Sequence, residues 1–219
     1  MILLNYIVGY LFLYPRIFGI ILLAVPENLL ENFSFLFENL IYLFVFVVTV
    51  VLAWPLLKED FQPLADQKHS FFKDTGKRAV QMYLVMLLTN MAVMLVTGIE
   101  NSANQAEVMN QMALHPLQIF LVSGVFAPIC EEIVFRGVIF KSLDRTKGFA
   151  VASFVSALLF GLLHVYASLL QGNWLDLVFI IVYGSMGWVL CKAVQDHDSI
   201  WSSILIHGLN NLLACLMLL

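Results

Sequence analysis

The stretch CEEIVFRGVIF, residues 130–140, sets two adjacent carboxylates and an arginine inside a run otherwise as apolar as a membrane span. Ionised groups at bilayer depth cost about 2.5–3.5 kcal/mol each on insertion scales, so a chain keeps them where they face a polar cavity or one another. The stretch is therefore the first candidate functional site. Glu132 and Arg136 are four residues apart with the acid first, the favourable order for a helical ion pair, and pairing in a low dielectric offsets much of the cost of both charges. Glu131 points about 100° away around the helix and cannot share that partner in the same geometry. One carboxylate reads as clamped and its neighbour as free.

The rest of the chain fits this setting. Of 219 residues, 61% are hydrophobic and 12% charged, against roughly 45–50% and 25% in soluble domains, which makes the chain an integral membrane protein. Nothing in it points to nucleic acid. The cysteines, Cys130, Cys191 and Cys215, lie in apolar runs with no CxxC pair, so neither a disulfide framework nor a zinc knuckle is indicated.

A crossing helix needs about 20 mostly apolar residues. Seven runs qualify: Ile2 to Val25, Phe35 to Leu57, Ala79 to Ile99, Pro116 to Phe140, Gly148 to Leu169, Trp174 to Val194 and Ser199 to Leu219. The expected fold is all-α, one integral membrane domain over residues 1–219: a polytopic transmembrane helical bundle of about seven spans, its motif-bearing core in residues 116–219. Pro15 and Arg16 interrupt the first run, which reads either as a kinked span or as a shorter interfacial piece followed by a partial one. No basic residue precedes that run and no small-residue cleavage site stands out, so a cleaved signal peptide is not expected.

Basic residues test the count independently. Nine of the eleven fall in alternate connections: Lys58, Lys68, Lys73, Lys77 and Arg78; Lys141, Arg145 and Lys147; and Lys192. The connections between, with Glu27, Glu31, Glu100, Glu107 and Asp176, carry none. The positive-inside rule then puts residues 58–78, 141–147 and 192–198 in the cytoplasm, the N-terminus inside and the C-terminus outside. Residues 58–78, KEDFQPLADQKHSFFKDTGKR, read as a solvated basic loop with Pro63 and Gly76 as breakers and Phe71 and Phe72 at the interface.

Strongly polar residues occur in two further spans of the core: His164 in FGLLHVY, and His207, Asn210 and Asn211 in ILIHGLNNLL. Phe160 and His164 share a helical face, as do His207 and Asn211, whereas Asn210 points off it. At about 1.5 Å per residue from the basic ends of the spans, Glu131 lies about 13 Å deep, His207 about 12 Å, Asn211 about 18 Å, but His164 about 25 Å. A site leaning towards the cytoplasm follows, with His164 as its discordant member. Alone, His164 would be an ordinary hydrogen-bonded buried histidine, and His207 with Asn211 an interhelical pair.

The three patterns together are more specific. EExxxR (Glu131, Glu132, Arg136), FxxxH (Phe160, His164) and HxxxN (His207, Asn211), in that order on separate apolar helices, resemble the CPBP group of intramembrane proteases. That group includes type II CAAX prenyl endopeptidases and bacterial bacteriocin-processing or immunity proteins. The resemblance covers about residues 116–219. It implies an intramembrane endopeptidase of a bacterial cell membrane, with the first glutamate and first histidine on the catalytic water; members are often called metalloproteases.

The residue types suit that chemistry. Peptide hydrolysis needs an activated water, a stabilised oxyanion and a proton for the leaving amine. Glu131 would be the general base on a water also held by His164, and His207 and Asn211 would donate to the oxyanion. Glu132 and Arg136 would hold their span in place or position substrate. A zinc version would use Glu131, His164 and His207 as a His₂Glu set with one open position. The metal-free version is favoured, because no HExxH pair pre-places two ligands and an asparagine suits an oxyanion better than zinc. Cys130 as a nucleophile is a poorer choice, since the adjacent Glu131 suppresses thiolate. The expected partners are the lipid bilayer and a peptide or membrane-protein substrate, such as a lipidated C-terminus, entering from the cytoplasmic side or from the lipid. The alternatives are a non-catalytic scaffold, regulator or immunity protein of the same fold, and a transporter or proton relay. The latter would spread polar groups across the membrane and show internal repeats.

Overall fold

The computed structural model describes residues 1–218, with the side chains of Glu31 and Asn32 left out of the description. The last residue of the seventh expected span, Leu219, and the Glu31 side chain lie outside the described residues. Seven helices there are long and apolar enough to cross a membrane: α1 Leu4–Leu22, α2 Phe33–Asp66, α3 Lys68–Thr97, α5 Pro116–Lys147, α6 Phe149–Leu170, α7 Trp174–His197 and α8 Ile200–Met217. A shorter helix, α4 Ala103–Leu114, lies in the connection before α5. Its N-terminus is capped by Ser102, whose hydroxyl accepts from the Gln105 amide. The all-α, seven-span expectation is met.

Burial sorts the helices into a core and a rim. In α7 half of the apolar window is buried, in α1, α2 and α3 less than a quarter. Phe179, Val182, Met186, Val189 and Leu190 of α7 pack with Met82 and Val93 of α3, Val165 of α6 and Ile206 of α8. On α2 and α3 large side chains such as Val51, Leu84 and Leu95 are left outward. Such a surface would be an association patch in water and is the expected one against lipid.

The alternatives for the first run are decided in favour of a span, and one expectation about the segments changes. α1 runs unbroken through Pro15, with Tyr14 donating from its backbone N–H to the Gly9 carbonyl, five residues back. The wider preceding turns accommodate an imino acid that would otherwise break an α-helical bond. Residues 58–78 are not a loop: α2 extends to Asp66 and α3 starts at Lys68, so Gly76 is helical, and Phe71 is fully buried beneath His197 rather than resting at an interface.

The three basic connections meet on one face. Lys141 Nζ donates to both Asp60 carboxylate oxygens (2.8 and 2.9 Å) and to the Asp198 carbonyl (2.7 Å), joining α5, α2 and the α7–α8 turn. Asp60 also accepts from the Ile200 amide at 2.8 Å, the first residue of α8. Arg78 of α3 donates to both oxygens of Asp196 at 2.7 and 2.9 Å. Lys141 and Asp60 are almost fully buried, and removing one member of a buried pair strands the other charge at a cost of about 3–5 kcal/mol. Lys141→Met is therefore expected to lower the thermal midpoint in detergent by on the order of 10 °C, read from the loss of helical circular dichroism on heating.

The hairpin between α5 and α6 turns on one residue, Gly148, with φ of +79°, a conformation that costs a side chain dearly. It also resolves the discordant depth. α5 continues seven residues past the expected end at Phe140, to Lys147. Counted from that tip, Glu131 lies about 24 Å along α5 and His164 about 22 Å along α6, so these two residues share one level.

Candidate active site

α5 presents the glutamates between two stretches, Val122–Phe126 and Ile133–Phe140, wound with the wide turns that tend to occur at functional sites. Glu131 Oε2 lies 3.9 Å from His164 Nε2 and 3.9 Å from His207 Nε2. It is buried and has no hydrogen-bond partner. The expected clamp is present: Arg136 Nη1 donates to Glu132 Oε1 at 2.8 Å, with both side chains fully buried. Arg136 Nη2 donates to the Gly187 carbonyl at 3.1 Å, and its guanidinium lies 4.4 Å over the Phe160 ring. A Cβ on Gly187 would come within 3.1 Å of that nitrogen and of the Ala157 Cα, so this position admits only a glycine without displacement of the arginine.

Each imidazole is oriented by its other nitrogen. His164 Nδ1 is 2.9 Å from the Phe160 carbonyl, and His207 Nδ1 is 2.9 Å from Glu132 Oε1. Carbonyl and ionised carboxylate oxygens only accept, so both Nδ1 atoms are the donors and both Nε2 atoms are turned towards Glu131. Phe160 wedges between the rings, 4.5 Å from His164 and 5.6 Å from His207. Asn211 is tied by its Nδ2 to the Ser123 carbonyl of α5 at 2.9 Å, while its Oδ1 accepts from Asn210 Nδ2 at 3.2 Å. All seven residues singled out in the three motifs thus gather around one locus.

Residues 113–213 match the family model described as Type II CAAX prenyl endopeptidase Rce1-like. The match supports the resemblance to the CPBP proteases over just under half of the chain. Over 116 residues, 53% of the chain and 43% of the relative, the chain is 30% identical to YdiL of Bacillus subtilis strain 168, which bears the name of an inferred membrane peptidase. It is 31% identical over 139 residues to the membrane-embedded CAAX protease MroQ of Staphylococcus aureus USA300, 61% of the chain and 52% of the relative. It is 26% identical over 130 residues to YxdF of Lactococcus lactis, 59% of the chain and 65% of the relative. The chain thus spans less than two thirds of the length of each. No solved structure matches it.

Two features of the candidate site were not readable from spacing. Glu132 is no mere clamp: it bridges Arg136 and His207, a contact 75 residues apart in sequence. Tyr183 of α7 stacks on His164 at 4.3 Å and 23°, and its hydroxyl lies 2.6 Å from that of Ser102, the cap of α4. A lone tyrosine in an apolar span carries no sequence signal for either contact. Cys130 is buried in an apolar cluster with Tyr6, Val45 and Phe135.

The zinc version does not fit the donors as they stand. Neighbouring ligands of a four-coordinate zinc, with bonds near 2.0–2.1 Å, stand about 3.3 Å apart. The two histidine nitrogens are 3.9 Å from the Glu131 oxygen, and among the described residues no group of three or more His, Cys, Asp and Glu is placed to hold a metal ion.

The site forms the floor of a cavity of about 550 Å³ whose walls include Tyr183, Asn90, Gln118 and Asn210. Several of its other lining residues, Glu38, Glu100 and Leu218 among them, lie towards helix ends remote from the basic connections, and Glu107 lies on α4 in the connection before α5. The expected entry from the basic side is therefore corrected: the polar path to Glu131 leads from the opposite face. The depth argument pointed the wrong way because α5 is longer at its basic end than hydropathy alone indicates.

Proposed function

We propose that this protein is an intramembrane endopeptidase of the CPBP type, hydrolysing a peptide bond of a membrane-associated or lipidated peptide, with its basic face in the cytoplasm of a bacterial cell. The carrying observation is that Glu131 Oε2, buried and unpartnered, is equidistant from two histidine nitrogens at a separation too long for direct hydrogen bonds. One water fills such a gap. Glu131 removes its proton as its oxygen bonds to the scissile carbonyl carbon, with His164 Nε2 accepting the second water hydrogen. The carbonyl oxygen becomes an oxyanion facing His207 and Asn211. A proton on His207 Nε2 is balanced across the ring by Glu132, and the second amide hydrogen of Asn211 completes the hole. The carbon–nitrogen bond then breaks, and Glu131 passes its proton to the leaving amine.

The test is a comparison of the membrane peptidomes of cells carrying the wild-type chain and Glu131→Ala. Full-length precursors should accumulate only in the variant; identical peptidomes would leave a scaffold role, as for an immunity protein of the same fold. The metal question has its own measurement. With water activation by Glu131 alone, dialysis against a strong chelator leaves the cleavage rate unchanged within about twofold, and elemental analysis of active protein finds well under one zinc per chain.

A further inference from the structure

We infer that the cavity takes a short, extended, positively charged peptide segment delivered from the face opposite the basic connections; this deepens the hydrolase reading and rests on it. Glu38, Glu100 and Glu107 line the cavity, and among the described residues no lysine or arginine does. Glu38 accepts from the Tyr42 hydroxyl and Glu107 from the Gln111 amide, both neutral donors. Among the described residues none of the three carboxylates stands in an ion pair.

The second observation is independent of these surface charges. Glu131, more than nine-tenths buried, directs an unpartnered oxygen at the inner end of the same cavity, and the wall residue Gln118 has a buried Oε1 with no partner. Acceptors therefore await donors at both depths. A cavity with low-dielectric walls and charge of one sign focuses its field and concentrates the opposite charge, here a cationic ligand. Amides at Asn90, Gln118 and Asn210 in the wall offer donors and acceptors to a peptide backbone. At about 550 Å³ the space is that of a small-molecule site, roughly 300–1,000 Å³. It admits a few residues at about 3.3 Å each and no folded partner.

The test measures binding, not cleavage. Full-length chain carrying E131Q, in nanodiscs, is titrated with three fluorescent peptides of equal length that differ only in three lysines, three serines or three glutamates. The lysine peptide is expected to bind about tenfold more tightly than the glutamate peptide. The difference should shrink as ionic strength rises and the Debye length falls from about 30 to 3 Å. E38Q/E107Q, at two exposed positions whose charge touches no core residue, is expected to abolish the preference, with E100Q in the same background as a further removal should either substitution lower expression. Equal affinities for the three peptides, or a preference that survives loss of these carboxylates, would overturn the inference. A wild-type chain that prefers the lysine peptide but cleaves nothing would remove the hydrolase and leave the cationic cavity standing.

Discussion

Glu131→Gln lowers peptide cleavage by about 10²–10⁴-fold, the range a single general base contributes, while the purified variant keeps its helical content and melts within a few degrees of wild type. The asymmetry follows from the surroundings of the side chain. Glu131 Oε2 has no hydrogen-bond partner to lose, so an isosteric amide sacrifices little native bonding. It loses the one property that matters to the chemistry, a lone pair basic enough to take a proton from water. Full activity in this variant would remove Glu131 from the base position, and with it the proposed mechanism. A collapse of the fold would instead make Glu131 a structural residue, contrary to its unpaired state.

Glu132→Gln has a different outcome, because this carboxylate serves two partners. Its Oε1 accepts from Arg136 Nη1 at 2.8 Å and from His207 Nδ1 at 2.9 Å, with the arginine and the glutamate fully buried. Neutralising it strands a guanidinium in the bundle, at about 3–5 kcal/mol and a thermal midpoint lower by on the order of 10 °C. It also deprives His207 of the acceptor that fixes its ring. The double variant E132L/R136M separates the two effects. Removing both charges of a buried pair is often neutral or stabilising, so the melting temperature is expected to recover. Cleavage is not, since His207 still lacks its acceptor. If activity returned together with stability, Glu132 would be a structural counter-ion and no more.

The legibility of the site tracks where the physics is local. The Glu132–Arg136 pair lies on one helix, so spacing alone found it. The gathering of Glu131, His164 and His207 depended on three helices coming to one level, and only the specificity of the motif set carried that inference. The depth count for Glu131 failed because α5 runs on to Lys147, seven residues beyond where hydropathy falls off after Phe140, among charged residues that still continue the helix. For the same reason residues 58–78 looked like a loop: their lysines and aspartates form helix ends that pair with one another and with α5 and α7. The link from Tyr183 to α4 crosses 81 residues, and no periodicity in an apolar helix announces it.

The junction of Lys141, Asp60 and Asp198, with Arg78 and Asp196 beside it, fastens α2, α3, α5, α7 and the start of α8 at a single end. A bundle pinned in this way behaves as tongs do about their rivet. Whatever room a guest needs has to come from the free tips, where α4 is moored by the Ala103 amide on Asp176 and by the Ser102–Tyr183 hydroxyl pair. Through Tyr183 that mooring touches His164, so the seat of α4 and the setting of the imidazole are joined through a single ring.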